Sequence, residues 1–262
     1  MINKSQAGRR IAVAQAAGVI RLSEFMGRWG NTIGQWAFGW SIARRLGCRF
    51  QCPHWLGEDV FNIRRTPITP QRLKECKVDE IPTQPDRSIH GYFQYQKAFD
   101  CMRASELRKQ LTVKTQYAER WVRPRKFYIA AHLRRGDYLK LRDRYAVVHR
   151  CAYERAILAA GYDLADVIWV SDEEPFGTGI YVPNLAFLYD FLTIQNADVV
   201  FRANSTFSFW AAALGKGKVY SPRVSEQVGD LYDATFEPHN ACANFSTKIH
   251  TGTIHTDTEL PV

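Results

Sequence analysis

The sequence predicts an α/β fold assembled from strand–turn–helix units. Three stretches carry that expectation. Val19 to Leu22, apolar but for Arg21, reads as a strand that enters a glycine-containing turn and then a helical pattern. Tyr128 to Leu133 is a second apolar run, bounded by a charged turn. Val199 to Phe201 is a third, leading through the polar turn at Asn204 into an apolar helix. Open α/β sheets bind ligands beyond the carboxyl ends of their strands, so the residues after these runs are the candidate site.

Length and composition narrow the class. With 262 residues the chain suits one large or two small domains, each able to bury a core. At 46% hydrophobic and 23% charged it reads as an ordinary globular protein. The net charge of +9 favours an anionic partner: a nucleotide-sugar, an anionic membrane surface met peripherally, or nucleic acid. The basic residues are spread along the chain and are densest from Arg120 to Arg144. Zinc-finger spacing, an RRM aromatic signature and a basic coil are all absent from the sequence, so no nucleic-acid partner is expected. Six cysteines form no CxxC pair. Cys48, Cys52 and His54 lack the second pair of ligands a structural metal needs, and read as two reduced thiols and a histidine. Lys4, Arg9 and Arg10 before Ile11 to Ile20 loosely imitate a signal peptide, but Gln15 interrupts the apolar stretch. No segment approaches the roughly 18 apolar residues of a membrane helix, and a soluble cytoplasmic protein is expected.

Taken in order, the first unit is the strand Val19–Leu22, the loop Ser23 to Gly30, and a helix from Thr32 to Leu46 with Asn31 as N-cap and Gly47 as stop. Arg49 to Pro53 reads as a second strand. Trp55 to Arg87, with Pro67, Pro70, Pro82 and Pro85, reads as loops and short helices. Arg103 to Arg120 has helical character. Arg123-Pro124-Arg125-Lys126 is a basic turn and the candidate domain boundary. Lys140 to Arg144 is a charged loop. Cys151 to Ala160 reads as a helix ended by Gly161, Val167 to Val170 as a strand, Asn184 to Gln195 as a helix, and Ala211 to Leu214 as a helix ended by Gly215. Lys218 to Tyr220 is expected to be the last strand.

The chemistry concentrates after the second apolar run, in His132-Leu133-Arg134-Arg135-Gly136-Asp137-Tyr138. Guanidinium forks match phosphate oxygens bidentately, so adjacent arginines here suit a doubly anionic group. The plain alternative is a solvated loop. Ser171-Asp172-Glu173-Glu174-Pro175 follows another strand. Its acid suits ribose hydroxyls or guanine N–H groups, or else serves as a helix N-cap. Ser205 and Thr206 open a helix whose free N–H groups and positive end suit an anion. Plain N-capping is the alternative there too.

The string HxRRGDY at His132 to Tyr138 resembles the motif of the α-1,2-fucosyltransferase family. Three more blocks resemble that family in the same order. They are G-R-x-G-N-x-x-x-Q at Gly27 to Gln35, G-Y-F-Q-x-x-K-x-F at Gly91 to Phe99, and A-N-S-T-F-S-x-W at Ala203 to Trp210, where Phe209 replaces a tryptophan. Ser171 and Asp172 match the family's S-D segment.

The resemblance implies an α/β, GT-B-like fold: two Rossmann-like domains facing a cleft. Residues 1–122 would form the acceptor-side domain and 123–262 the GDP-sugar domain. It implies inverting, metal-independent transfer of L-fucose from GDP-β-L-fucose to a glycan hydroxyl, forming an α-1,2 linkage to galactose. GDP-fucose is the donor substrate, and no cofactor or metal is implied. Arg134, His132 and Asn31 would take part in catalysis, with Glu24 as candidate base. Arg28, Gly30, Arg134, Arg135, Asp137, Ser171, Asp172, Asn204, Ser205, Thr206 and Phe207 would hold the donor. Golgi relatives carry a membrane anchor, so a bacterial-type or viral enzyme, or a shortened form, is expected. The rivals are a transferase for another GDP-sugar and a non-catalytic nucleotide- or glycan-binding relative. The acceptor-side region looks reduced, and Glu24-Phe25-Met26 precedes the first block, which touches acceptor identity more than donor identity.

Overall fold

A computed structural model describes residues 18–172, 185–224 and 227–239. The expectations for Ile11 to Ala17, for Glu173-Glu174-Pro175, for Asn184 and for Cys242 lie outside these residues.

The chain begins with β1 (Val19–Leu22), α1 (Trp29–Arg45), β2 (Arg49–Gln51), α2 (Gly57–Val60), β3 (Lys74–Glu75) and β4 (Arg87–Ile89). These four strands form one parallel sheet in the order β2-β1-β4-β3. Three short helices follow: α3 (Gln96–Phe99), α4 (Ala104–Gln110) and α5 (Thr115–Ala118). Then come β5 (Ile129–Leu133), β6 (Ala146–Val148), α6 (Arg150–Ala159), β7 (Val167–Ser171), α7 (Phe187–Gln195), β8 (Val199–Phe201), α8 (Thr206–Leu214), β9 (Lys218–Pro222), β10 (Gly229–Leu231) and β11 (Phe236–His239). The second sheet runs β11-β9-β8-β5-β7 and is parallel except for β11. Strands β6 and β10 pair separately.

The central strands β1, β5 and β8 are buried at every position but Arg21, as parallel strands covered on two faces should be. All five residues of β5 are buried. Their side chains alternate: Tyr128 and Ala130 enter the core shared with the first sheet, whereas Ile129, Ala131 and Leu133 enter a second core with Tyr153 and Phe201. Helix α1 carries Arg44 and Arg45 in its last turn, where the dipole favours cations. Gly47, at φ +63, then turns the chain out of it.

One core runs through both halves of the chain. Helix α8 packs against α1 and α7. A Cβ on Gly34 would lie 3.1 Å from Trp210 Nε1, so that contact is close. Arg108 Nε donates to the Ala213 carbonyl at 3.1 Å, and Trp121 Nε1 to Thr193 Oγ1 at 3.1 Å. A run of aromatic rings also crosses the molecule. Trp40 stacks on Trp36 at 5.9 Å, Trp36 on Trp55 at 6.3 Å, and Trp55 on Trp29 at 6.1 Å. Trp29 meets Phe191 at 5.8 Å, Phe191 meets Phe207 at 5.6 Å, and Phe207 meets His132 at 5.6 Å.

Four expectations are corrected. Helix α1 starts at Trp29 with Arg28 as N-cap, so Asn31 lies in the first turn and not at the cap. Arg103 to Arg120 is two short helices, because Val113 forms an antiparallel bridge with Phe61 and Thr112 accepts from Asn62 N at 2.8 Å. Trp55 to Arg87 is not only loops and short helices: it contains β3, and Arg87 opens β4, which pairs with β1 on one side and β3 on the other. Lys218 to Tyr220 belongs to β9 but is not the last strand, as β10 and β11 follow it.

Candidate functional site

Strand order locates the site before any side chain is considered. From β5 the chain moves to β7 on one side, then crosses back to β8 on the other. The first sheet reverses in the same way between β1, which leads to β2, and β4. Such switch points open a crevice at the carboxyl ends of the strands. The loops that emerge there hold Arg134 to Tyr138 after β5, Asp172 after β7, Asn204 and Ser205 after β8, Glu24 to Arg28 after β1, and Gly91 to Gln94 after β4.

The loop after β5 is organised around two carboxylates. Arg134 Nη1 donates to Asp172 Oδ2 at 2.7 Å, and Nη2 donates to Asp137 Oδ1. The other Asp172 oxygen accepts from the backbone N–H of Arg135 at 2.8 Å and of Gly136 at 3.1 Å. A Cβ on Gly136 would meet the Asp172 carboxylate at 2.6 Å, so glycine permits this wrap. Arg28 reaches across from the first half, with Nη1 3.3 Å from Asp137 Oδ2. The side chain of Arg134 is only 15% exposed and that of Arg28 is 73% exposed. Arg28 is therefore the cation that faces solvent, and Arg134 is the held one. Among the described residues the buried Nε of Arg134 has no acceptor. Its guanidinium also lies 5.2 Å from the Tyr138 ring centroid, and Tyr138 donates through its hydroxyl to the Asn204 carbonyl at 3.0 Å.

His132 ends up buried in β5, one residue before the loop. Burial first, and the neighbouring Arg134 second, lower its pKa from 6.5 to about 3, against an opposing pull from Asp172. It is a neutral imidazole whose Nδ1 has no partner among the described residues. Its backbone carbonyl accepts from the Tyr153 hydroxyl at 2.8 Å.

The loop after β1 is clamped from its own helix. The buried Gln35 amide accepts from Met26 N at 2.9 Å and donates to Met26 O at 2.7 Å. Gly27 takes φ +75 beside the Asn31 side chain. Asn31 Oδ1 accepts from Thr206 Oγ1 at 2.8 Å and from Gln94 Nε2 at 3.0 Å. A Cβ on Gly30 would sit 2.4 Å from the Thr206 carbonyl carbon and 2.5 Å from Phe207 N, so only glycine lets α1 start this close to α8. Gln94 is aimed by an unusual neighbour: Phe93 is buried at φ +53, and its N–H donates to Asp79 Oδ1 at 2.7 Å. A bulky residue at positive φ is strained, and such strain gathers at functional sites.

Most of the candidate residues therefore meet in two linked groups. Arg28, Arg134, Asp137 and Asp172 form an ionic cluster, to which Arg135 contributes its backbone N–H. Gly30, Asn31, Thr206 and Phe207 form the seam between α1 and α8. Ser205 caps α8, accepting from Phe207 N at 3.3 Å. Asn204 is buried and donates to the Ala146 carbonyl at 3.0 Å. Ser171 ends β7 opposite Leu133. Phe207 packs its ring among His132, Phe187 and Phe191. Glu24 is exposed and makes no hydrogen bond or ion pair among the described residues. Sequence reasoning named Gln35 and Gln94 as motif letters but gave them no role. Tyr138 was also missed as a contributor. Asp190, half-buried on α7, has its carboxyl pKa pushed up to about 7 by burial, a property that only packing reveals.

The cluster sets two guanidiniums against two carboxylates, and Tyr138 links it to Asn204, just ahead of the nine-residue helix α8. Guanidinium forks and a helix start are groups that take anions. Among the described residues no group of three acidic, cysteine or histidine side chains is placed to hold a metal, and no helix is long and apolar enough to cross a membrane.

Comparison with protein-family models and with curated proteins gave no match. Among solved structures, the chain is similar to the crystal structure of the NodZ α-1,6-fucosyltransferase soaked with GDP-fucose. The similarity has a TM-score of 0.51 at 12% identity and covers 85% of this chain and 99% of that one. At that identity the likeness speaks for the fold: an α/β fold of GT-B type, with two Rossmann-like parts facing a cleft.

Proposed function

We propose that this chain is a glycosyltransferase that moves L-fucose from GDP-β-L-fucose to a hydroxyl of a glycan acceptor, with inversion and without a metal. The observation that carries the reading is the placement of Arg134 at the switch point of the second sheet, within reach of Arg28 and the start of α8. The fold shared with a fucosyltransferase soaked with GDP-fucose supports the choice of donor. The finer assignment, an α-1,2 linkage to galactose, rests on the HxRRGDY string and the three further blocks that resemble the α-1,2-fucosyltransferase family. Division into an acceptor side at 1–122 and a donor side at 123–262, and a cytoplasmic setting, belong to the same proposal.

The proposed steps use this chain's own groups. As the C1–O bond of the sugar breaks, negative charge builds on the departing diphosphate. Fixed cations in a protein cleft stabilise such charge without reorganising. The diphosphate oxygens compete with Asp137 for Arg134 and Arg28, taking over cations that are already in position. Asp172 keeps its two backbone N–H groups and so preserves the loop. His132, neutral, gives the loop an uncharged foundation. Asn31 links the acceptor-side helix to Thr206. Glu24, exposed at the mouth of the first sheet, is the proposed base for the acceptor hydroxyl.

The test is calorimetric titration of the wild type and Arg134→Ala with GDP-fucose, GDP-mannose, GDP and UDP in EDTA, followed by turnover with a glycan panel. Binding of guanine nucleotides without metal, lost in the variant, is the expected result. A folded wild type that ignores GDP overturns the reading.

A further inference from the structure

The loop after β4 has an unusual backbone. Gly91 takes φ +139 and Phe93 φ +53, and Asp79, in the turn between β3 and β4, takes φ +56. Asp79 is the template for that loop. Its Oδ1 accepts from Phe93 N at 2.7 Å, its backbone N–H donates to the His90 carbonyl at 3.0 Å, and its carbonyl accepts from the Tyr95 hydroxyl. A Cβ on Gly91 would lie 2.2 Å from Asp79 Oδ1, so glycine lets the chain wrap the carboxylate. The Phe93 ring is buried and stacks on Phe38 of α1 at 4.0 Å. Phe93 and Tyr95 are both anchored, and Gln94 stands between them.

Gln94 is aimed along α1. Phe38 and Asn31 lie about two turns apart on that helix, so the neighbours Phe93 and Gln94 run beside it toward its start. A carboxamide has a donor end and an acceptor end. The donor end is taken, as Nε2 donates to Asn31 Oδ1 at 3.0 Å. The same Asn31 oxygen accepts from Thr206 Oγ1, and Thr206 opens α8 in the other half of the chain. An oxygen faces an N–H and not another oxygen, so Asn31 sets which way the amide turns. The acceptor end, Oε1, makes no hydrogen bond among the described residues and is not sealed from solvent. The outcome is an oriented, unanswered oxygen where the two halves meet.

We propose that Gln94 contacts the acceptor, its Oε1 taking a hydrogen bond from one hydroxyl of the acceptor glycan, and that Asp79 is the positioning residue that holds it there. The inference rests on the transferase reading above and adds to it a residue that selects the second substrate. The chemical class follows from the atom: an amide oxygen takes a hydroxyl proton and has nothing to offer a phosphate or a carboxylate. The side follows from the fold. Arg134 and α8 belong to the second half, whereas Gln94 follows β4 in the first. A donor held by its diphosphate on one side leaves Gln94 to the molecule that enters from the other. Strained backbone at a functional site persists because its surroundings fix it, and Asp79 and Phe38 do this for Phe93.

The test is initial-rate kinetics on the intact chain, with the glycan that the wild type turns over in the panel above and with its monodeoxy analogues. Gln94→Leu should raise the acceptor KM about tenfold, the scale of one hydrogen bond, and leave donor KM and GDP affinity within about twofold. One monodeoxy analogue should give the same KM with wild type and Gln94→Leu, because the bond is already absent. Asp79→Ala should raise the acceptor KM as well. Asp79→Asn, which keeps an oxygen for the Phe93 N–H, should restore it. Equal acceptor KM in wild type and Gln94→Leu, a ratio that persists across every analogue, or a rise confined to donor KM each overturns the inference and leaves the transferase reading standing. An Asp79→Asn as impaired as Gln94→Leu overturns the role of Asp79. A wild type that turns over no glycan overturns both readings. Leucine is close to glutamine in size, so Gln94→Leu keeps the test valid even if Asp79→Ala misfolds.

Discussion

Arg134 and Asp172 leave neighbouring parallel strands at the same level, with Nη1 of the arginine 2.7 Å from Oδ2 of the aspartate. The register that pairs Leu133 with Ser171 sets this contact, since the next residue on each strand is the one that meets its counterpart. The aspartate therefore holds both the guanidinium and the loop behind it. Asp172→Asn keeps an oxygen for the Arg135 and Gly136 N–H groups, whereas Asp172→Ala keeps nothing. Asp172→Ala is expected to cost about 2 kcal/mol of stability, the scale of a charge-assisted bond, and Asp172→Asn less. Chemical denaturation of the two variants checks the order.

Arg134→Ala should lower GDP affinity by about a hundredfold, the effect of losing one bidentate cation of about 3 kcal/mol. Arg134→Lys should not restore it, because an ammonium cannot span Asp137, Asp172 and a phosphate in one plane. Calorimetry separates the three proteins.

Asn31 and Thr206 join residues 175 positions apart through one hydrogen bond. Asn31→Ala, Thr206→Val and the double variant should give a coupling energy of about 1 kcal/mol in a thermal or urea cycle. Strict additivity would mean that the seam does not depend on this bond.

Gly30→Ala should destabilise by about 1–3 kcal/mol, the usual cost of overpacking, because its Cβ meets backbone and not a movable side chain. The melting temperature reads this directly. Gly47→Ala is a useful contrast: nothing lies within 4 Å of its added carbon, so any loss there comes from φ +63 alone.

His132 and Asp190 should give opposite pH slopes. The folded pKa of His132 lies near 3 and its ordinary value is 6.5, so its neutral form contributes stability fully above 6.5. That contribution declines by about 1.4 kcal/mol per pH unit as pH falls toward 3. Asp190 is raised from 3.8 to about 7, so its contribution is fully present below 3.8 and is lost as pH rises toward 7. Between 3.8 and 6.5 the two slopes oppose each other. Asp190→Asn should therefore steepen the loss of stability on acidification, and His132→Leu should flatten or reverse it. Denaturant midpoints across this pH range decide.

Much of this arrangement was legible in the sequence, for physical reasons. Val19–Leu22, but for Arg21, and Val199–Phe201 are apolar and bounded by turn residues, and both match the observed strands. Arg87–Ile89 was missed because only Ile89 is buried and prolines precede it, so neither hydrophobicity nor alternation marks it. Asn31 was read as a cap from its type, yet its oxygen is claimed by Thr206 and Gln94, a long-range competition no local pattern reveals. Likewise α8 begins at Thr206 and not Ala211, because Ser205 caps it and Phe207 to Trp210 are drawn in by aromatic packing. Arg28 and Arg134 were named from the motifs. Their meeting at Asp137 depends on how the two sheets face each other, and the sequence holds no record of that.

The line of rings from Trp40 to His132 has an optical consequence. Indoles in van der Waals range exchange excitation, so light absorbed at Trp40 or Trp36 can emerge from Trp55 or Trp29. A ligand that quenches one end dims a shared emission. The chain thus carries a built-in fluorophore array that leads along α1 toward the crevice, and replacing Trp55 with phenylalanine would weaken transfer between its two ends.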